Sequence, residues 1–220
     1  MANDEPLYEA RYDISNAARH LRMPRSTIAA WANGAKAFKR VLDLPKPGYL
    51  SFVNLTEAFV LFTMRRHYEI EMPRIRDAVD YVQQELGVDH PLAFQEFKTD
   101  KVDLFVQMAS GKPVNVSRRG QMPMHAVLVD LERIEWQGQR PIALFPIVGL
   151  HRDTEGRRSV RISPHVAFGQ PVIAGTGVPT RAVWDRFQGG ESVKVLADDF
   201  GVSTDDIEEA VRAESDDVAA

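Results

Sequence analysis

The clearest pattern of apolar and polar positions lies between Tyr12 and Trp31. The first half places apolar residues on one helical face, at Ile14, Ala17, Ala18 and Leu21, with Ser15 as the predicted cap. Arg22-Met23-Pro24 interrupts this face, and a second helix is predicted from Arg25, with Ile28 and Trp31 on its inner side. Two helices joined by a tight turn predict a helix-turn-helix, whose second helix enters a major groove by its first turn.

Residues 34–87 continue with a pattern typical of a wing and two supporting helices. Gly34 ends the second helix, and a turn at 44–48 precedes a short alternating strand at 49–52. Helices are predicted at 55–68 and 73–86, because apolar residues recur in both at helical spacing. Gly87 is the predicted stop of the second of these.

Residues 88–160 change to short apolar runs separated by turn signals, which predicts a β-rich middle region. Strands are predicted at 104–106, 114–116, 126–129 and 144–148. Turns are predicted between them at 111–113, 118–120 and 137–139, and a loop at 154–158.

Residues 161–220 predict a small helix-turn-helix-like domain. Helices at 193–200 and 204–212 are joined by a turn at Gly201, and Ser203 with Asp206 resembles a capping box. The glycines at 169, 175 and 177 lack the spacing and the lysine of a phosphate-binding loop, so they indicate tight turns. The expected fold class is therefore α+β: a winged helix-turn-helix over 1–87, the β-rich middle over 88–160 and the small domain over 161–220.

Charge is distributed unevenly along a chain whose net charge is −4. Residues 11–49 hold eight Lys and Arg against Asp13 and Asp43, whereas residues 160–220 hold five against eleven acids. The basic segment coincides with the predicted helix-turn-helix, as expected of a DNA-binding surface. The acidic C-terminal domain would be repelled by a duplex, which favours packing, dimerisation or partner binding there. Its carboxylates could hold a metal, but acids at helix starts are the commoner explanation.

The remaining composition excludes several classes of protein. The chain has 220 residues, 44% of them hydrophobic, and no cysteine, which excludes disulfides and thiolate metal sites. An apolar run long enough for a membrane span and an N-terminal signal peptide are both missing from the sequence, so a cytoplasmic location is expected. The six histidines show no ligand spacing, and no catalytic triad pattern stands out. We therefore expect neither an enzyme nor a cofactor.

Eight residues are candidate DNA contacts. They are Arg25, Ser26 and Thr27 at the start of the second helix, and Lys36, Lys39, Arg40, Lys46 and Tyr49 in the basic segment and the wing. Arginine bridges guanine, hydroxyls reach phosphates, and lysines neutralise phosphates and make binding salt-dependent. The alternative is that Ser26 or Thr27 only caps the helix and that the basic side chains are solvated.

Residues 12–86 resemble the winged helix-turn-helix of MerR-type regulators. The matching pieces are TIAAW, GYLSF, NLTEAFVLFTMRR and HYEIEMPRIRDAV. The resemblance implies operator binding. The chain departs from that family in having Trp31 where a tyrosine pair is common, and in lacking the long dimerisation helix and effector cysteines, which argues against metal or drug sensing.

The C-terminal strings FGQPVIAGTGVPT, GES and LADDFGVSTDDIEEAVR resemble a family of small bacterial domains. Members commonly look like antitoxins encoded beside a PIN-like ribonuclease toxin. Together with the MerR-like head, this tail resembles the longer VapB-like antitoxins, which implies a toxin partner and autoregulation by operator binding. Two-fold operators favour a homodimer.

A PIN-like nuclease uses clustered carboxylates and Mg²⁺, so an antitoxin could silence it by inserting an arginine among them. The candidates are Arg118 and Arg119 at a predicted hairpin tip and Arg157 and Arg158 in a predicted loop. The alternative is that both pairs are solvated turn residues. Two other functions stay open: a stand-alone MerR-like regulator without a toxin, and a protein-interaction module that does not bind DNA.

Overall fold

A computed structural model describes residues 5–34, 40–68, 71–95, 97, 105, 118–148 and 157–215. Within 118–148, side chains are described from residue 125 onward. Its helices are α1 (Glu5–Tyr8), α2 (Ile14–Leu21), α3 (Arg25–Asn33), α4 (Phe52–Tyr68), α5 (Met72–Leu86), α6 (Arg118–Leu131), α7 (Thr180–Gln188), α8 (Val193–Phe200) and α9 (Thr204–Glu214). Its strands are β1 (Tyr12–Asp13), β2 (Tyr49–Leu50), β3 (Ile134–Gln137), β4 (Arg140–Leu144), β5 (Val160–Arg161) and β6 (Val172–Ile173). The predicted α+β class is confirmed.

Helices α2 and α3 form the predicted pair, and their inner faces are buried at Ala17, Ala18, Leu21, Ile28 and Trp31. The cap of α2 is Asp13, not Ser15: its Oδ1 accepts a hydrogen bond from the Asn16 N–H at 2.8 Å. Asp13 is the cap because it lies in extended backbone one position before the helix, where its carboxylate can accept from the first free N–H groups. Arg22 ends α2 in the left-handed conformation, with φ 54°.

The segment predicted as a wing consists of a tight turn and the short strand β2. Lys46 and Tyr49 bridge across the turn, and β2 then runs antiparallel to β1, with Tyr49 opposite Asp13. This pairing ties the turn to the start of α2. After it, α4 runs through the centre of the molecule with twelve buried residues, and α5 ends at Gly87 as predicted, in left-handed backbone.

The strand predicted at 126–129 and the turn predicted at 118–120 are wrong, because both lie inside α6. Val127 and Leu131 are buried one helical turn apart and pack against α4, while Val129 is exposed. A run of four apolar residues fits a buried strand or a buried helix equally well, and the contact with α4 decides between them. The predicted turn at 137–139 is confirmed between β3 and β4. The strands predicted at 104–106 and 114–116 lie outside the described residues, apart from Phe105.

Two apolar clusters hold the fold together. The larger extends from Leu7 to Ile162 around α4. The smaller gathers β6 and α7–α9 through Ile173, Val183, Leu196, Ala197, Ile207 and Ala210. The two are joined because Ile162 pairs with Leu144 and so extends the β3–β4 hairpin towards β5 and β6.

The C-terminal helices begin and end close to where the sequence places them. Ser203 and Asp206 form a reciprocal capping box at the start of α9, as predicted. Burial acts to raise the pKa of Asp206, but hydrogen bonds from the Ser203 hydroxyl and main chain and from Ser159 hold it below its ordinary value. Within the described ranges, no helix is both long and apolar enough to cross a bilayer.

Candidate DNA-binding and partner-binding surfaces

The start of α3 presents polar and basic side chains to solvent. Arg25 and Ser26 are exposed, and Thr27 is partly exposed. The residue that precedes the helix is Pro24, which supplies no side-chain cap, so Ser26 and Thr27 do not cap α3. The first turn of α3 therefore keeps N–H groups for an anion, as a helix that approaches a phosphate requires.

Ser15 positions Arg25 at this surface. The Arg25 Nε donates to the Ser15 hydroxyl at 3.0 Å, which brings the guanidinium beside the first turn of α2. Sequence reasoning gave Ser15 a capping role and missed this one. The signal was available only in three dimensions, since the two residues are ten positions apart on different helices.

Lys46 and Tyr49 lie at the same end of α2. The Lys46 ammonium stands 4.7 Å from the centre of the exposed Tyr49 ring, and Tyr49 pairs with Asp13 immediately before the helix. The carboxylate of Asp13 is engaged by both the main chain and the side chain of Asn16, which removes part of its repulsion towards an anion. The structure thus gathers Arg25, Lys46 and Tyr49 around the start of α2.

The other predicted DNA contacts are placed less favourably. Arg40 is exposed, but its guanidinium pairs with Asp43 at 2.5 Å, so part of its charge is already neutralised. Such an exposed pair is weak and opens readily towards a phosphate. Lys36 and Lys39 lie outside the described residues.

A recess of about 530 Å³ lies between the start of α3 and the end of α4. Thr27 and Trp31 line it from α3, and Phe62, Arg65 and Arg66 line it from α4. Sequence reasoning missed these two arginines. The available signal was their position in the last turn of a long helix, where cations are favoured by the helix dipole.

The arginines proposed to enter a toxin site are engaged within the chain. Arg157 pairs with Asp205 in the first turn of α9 at 2.6 Å, and the Arg158 guanidinium lies 5.7 Å from the centre of the Phe145 ring. Both side chains are exposed. Arg118 and Arg119 begin α6 instead of forming a hairpin tip, and their side chains lie outside the described residues.

A junction between α9 and α2 is the feature that sequence reasoning did not foresee. The Arg22 Nη1 donates to the Ser215 carbonyl at 2.6 Å, and the Arg19 Nη1 lies 3.8 Å from the Glu214 Oε2. Glu214 is buried, and its other oxygen accepts from the Thr180 hydroxyl at 2.5 Å. The residues at the end of α9 thus contact the end of α2, while Arg25 bonds Ser15 at the start of α2.

His20, in the last turn of α2, packs edge-to-face against Tyr12, with ring centres 6.0 Å apart. Burial, assisted by the charge of Arg19, lowers the pKa of His20 to about 3, although Asp13 acts in the opposite direction. The ring is therefore neutral at physiological pH.

The acids of α8 and α9 are largely used in local contacts. Arg186 bonds Asp199 at 2.6 Å as well as Glu191, and Arg212 bonds Glu208 at 3.0 Å and Glu209 at 2.6 Å. Among the side chains that the structure describes, no three His, Asp or Glu are grouped so as to hold a metal ion.

Known proteins match this chain both over its C-terminal domain and over nearly its whole length. A protein-family model described as "Protein of unknown function (DUF433)" matches residues 160–212. The "Putative antitoxin VapB45" of Mycobacterium tuberculosis is 31% identical over 239 aligned residues, which cover 97% of this chain and 99% of that protein. The crystal structure of Rv2018 from the same organism superimposes with a TM-score of 0.70 at 26% identity, over 92% of this chain and 98% of that one.

Proposed function

This chain belongs to the family of the "Putative antitoxin VapB45", and from that premise we propose that it is the antitoxin of a toxin–antitoxin pair. The observation that carries the proposal is the extent of the match, which includes both the α2–α3 unit and the C-terminal domain. The partner we propose is a PIN-like ribonuclease toxin encoded by the adjacent reading frame, and the place of action is the cytoplasm.

The second part of the proposal is that α2 and α3 bind operator DNA and so regulate the operon. The support is the exposed first turn of α3 together with Arg25, Lys46 and Tyr49 around the start of α2. In helix-turn-helix complexes the second helix enters the major groove, and the first crosses the backbone. Because one such unit contacts only a half-site, we propose a homodimer on a two-fold operator.

The C-terminal domain is proposed to serve the protein partner and not the DNA. Its acids repel a duplex, and the side chains of Ser203 and Asp206 cap the start of α9. For Arg157 to reach a nuclease carboxylate it must exchange Asp205 for that carboxylate, a transfer between similar partners that costs little. Arg158, Arg118 and Arg119 remain candidates for the same role.

Co-expression with the adjacent reading frame, followed by co-purification and a ribonuclease assay, tests the antitoxin proposal. We expect a stable complex in which the ribonuclease is silent, and release of activity when the antitoxin is degraded. The matched control is expression of the same tagged partner alone, without this chain. If the two proteins purify separately, the antitoxin proposal is wrong.

A stand-alone regulator is the second candidate, because the α2–α3 surface described above supports DNA binding whether or not a toxin exists. Operator binding by the purified chain without any complex would favour it. DNA titrations with no dependence on salt would instead indicate a protein-interaction module, since phosphate contacts release counterions.

A further inference from the structure

Phe168 is held in solvent by an unusual stretch of backbone. Its side chain is 88% exposed, whereas the other large apolar side chains counted as exposed in the described part of the chain lie between 38% and 46%. Ala167, Phe168 and Gly169 follow one another in the left-handed region, with φ of 46°, 53° and 78°. Residues other than glycine rarely adopt this conformation, and two in succession are a genuine outlier.

The loop that carries Phe168 is fixed on both sides. Within it, the Gly169 N–H donates to the Val166 carbonyl at 2.9 Å. From the head, the Tyr12 hydroxyl donates to the Gly169 carbonyl at 2.9 Å, and Arg11 donates to the Pro164 carbonyl at 2.8 Å. A Cβ on Gly169 would lie 2.5 Å from the Tyr12 oxygen, so this approach requires glycine. The Phe168 ring is therefore held in place by hydrogen bonds, at the point where Arg11 and Tyr12 contact the C-terminal domain.

Among the described residues, the Phe168 ring is not buried by any part of the fold. An exposed phenylalanine forgoes the burial that normally favours it, and strained backbone of this kind is commonly retained at functional sites. The flanking His165 and Gln170 are exposed and polar, so the apolar feature is one projecting ring and not a flat patch. Such a shape is complementary to a pocket, as aromatic anchors at protein interfaces are.

We propose that Phe168 is an anchor residue that inserts into an apolar pocket of the toxin. This inference rests on the antitoxin function proposed above and adds the residue and the chemistry by which the partner is held. A partner that grips this ring contacts the head and the C-terminal domain together, because Tyr12 and Gly169 meet directly beneath it.

A second copy of this chain is the less favoured occupant. The recess beside Trp31 and Phe62 is lined also by Pro24 and Thr27, so a ring seated there would cover the start of α3. That arrangement would compete with operator binding.

The test measures the affinity of the full chain for the protein encoded by the adjacent reading frame. Phe168→Ala and Phe168→Gly are compared with wild type, and Tyr81→Ala, an exposed aromatic on α5, is the matched control. We expect both Phe168 variants to raise the dissociation constant about thirty-fold or more, the range of an interface hot spot, and Tyr81→Ala to change it less than about three-fold. Phe168→Gly should also raise the melting temperature, because glycine relieves the left-handed backbone.

Each other outcome has one meaning. Binding within about three-fold of wild type by both Phe168 variants would overturn the inference while leaving the antitoxin function intact. A lower melting temperature for Phe168→Gly would show that the ring serves folding, and loss of a dimer of the free chain in Phe168→Ala would show that it contacts a second copy; either overturns the inference. Failure of the wild-type chain to bind the partner would instead overturn the proposed function on which the inference rests.

Discussion

Two pairs of helices joined by a tight turn, the basic unit α2–α3 and the acidic unit α8–α9, share a backbone plan and differ in charge. In α2–α3 the first helix ends at Arg22 with φ 54°, and in α8–α9 it ends at Gly201 with φ 66°. In both units the second helix begins three residues later, at Arg25 and Thr204. The segment Ile14–Asn33 contains three arginines and no acid, whereas Val193–Glu214 contains seven acids against Lys194 and Arg212.

Their second helices also begin differently. The Ser203 hydroxyl accepts from the Asp206 N–H in the first turn of α9, whereas Pro24 gives the first turn of α3 no side-chain cap. The comparison teaches that this backbone motif does not by itself specify DNA. The two pairs differ in charge and in capping, which are the properties that favour or oppose the approach of a phosphate.

Charge reversal at the start of α3 should have the largest effect. We expect Arg25→Glu to weaken operator binding by about 3 kcal/mol, roughly a hundred-fold, because it removes a base or phosphate contact and repels the duplex. Lys194→Glu in the first turn of α8 is the matched control and should leave affinity nearly unchanged. Fluorescence anisotropy with labelled operator at several salt concentrations measures both. Equal losses for the two variants would refute the division of roles between the units.

Breaking the contact between the two units should lower the free energy of unfolding by nearly as much as Arg25→Glu lowers the free energy of operator binding. Glu214→Ala removes the acceptor of the Thr180 hydroxyl and the ion-pair partner of Arg19. We expect it to lower the free energy of unfolding by about 2–3 kcal/mol, since a buried donor loses its partner. Glu208→Ala, an exposed carboxylate on the same helix, should cost under about 0.5 kcal/mol. Urea denaturation distinguishes them, and similar midpoints would contradict the junction described here.

Acid should destabilise the basic unit through His20. Its folded pKa of about 3 lies below its ordinary value of 6.5, so the unfolded state binds the proton first as pH falls. The contribution of His20 is complete above pH 6.5 and is lost progressively towards pH 3, by about 2 kcal/mol between pH 7 and pH 5. His20→Gln should flatten the dependence of the melting temperature on pH over this interval. An unchanged slope in that variant would assign the effect to other groups.

The arginines at the end of α4 should add a smaller term to DNA affinity. We expect Arg65→Ala to weaken operator binding about five-fold to ten-fold and to reduce the salt slope by about one, as the loss of a single phosphate contact does. Arg181→Ala on α7, an exposed arginine of the C-terminal domain, should change neither quantity. A slope that stays at the wild-type value would remove the recess from the DNA surface.

The turn of the acidic unit should show the smallest change. Gly201→Ala places a Cβ in open space but keeps a positive φ, so we expect a loss of about 1 kcal/mol from backbone strain alone. Arg22→Gly in the basic unit removes the same strain but also the bond to Ser215, so it should not stabilise the chain by as much. Thermal denaturation of the two variants compares the turns directly.

The sequence predicted those features that depend on neighbouring residues. The stop at Gly87, the capping box of Ser203 and Asp206, and the turn at 137–139 all depend on residues within one or two turns of each other. The helix over 126–129 could not be distinguished from a strand, since only its contact with α4 separates the two.

The candidate surface was predictable in part for the same reason. Arg25, Ser26 and Thr27 were marked by local pattern, whereas the Ser15–Arg25 bond, the recess at Arg65 and the Glu214 junction bring together separate elements. The exposure of Phe168 could not be predicted from the sequence either, because the residues around it predict a tight turn but not the surroundings of the ring.

The hydrogen bond from Arg22 to Ser215 spans 193 positions, so it joins the end of α2 to the residue that follows α9. A ribosome must synthesise the chain through α9 before that bond is possible, although nascent domains generally fold from their N-terminal side. Contacts between distant positions slow folding, so this closure comes late. A product terminated before α9 would therefore leave α2 without the Arg22–Ser215 hydrogen bond and without the ion pair between Arg19 and Glu214.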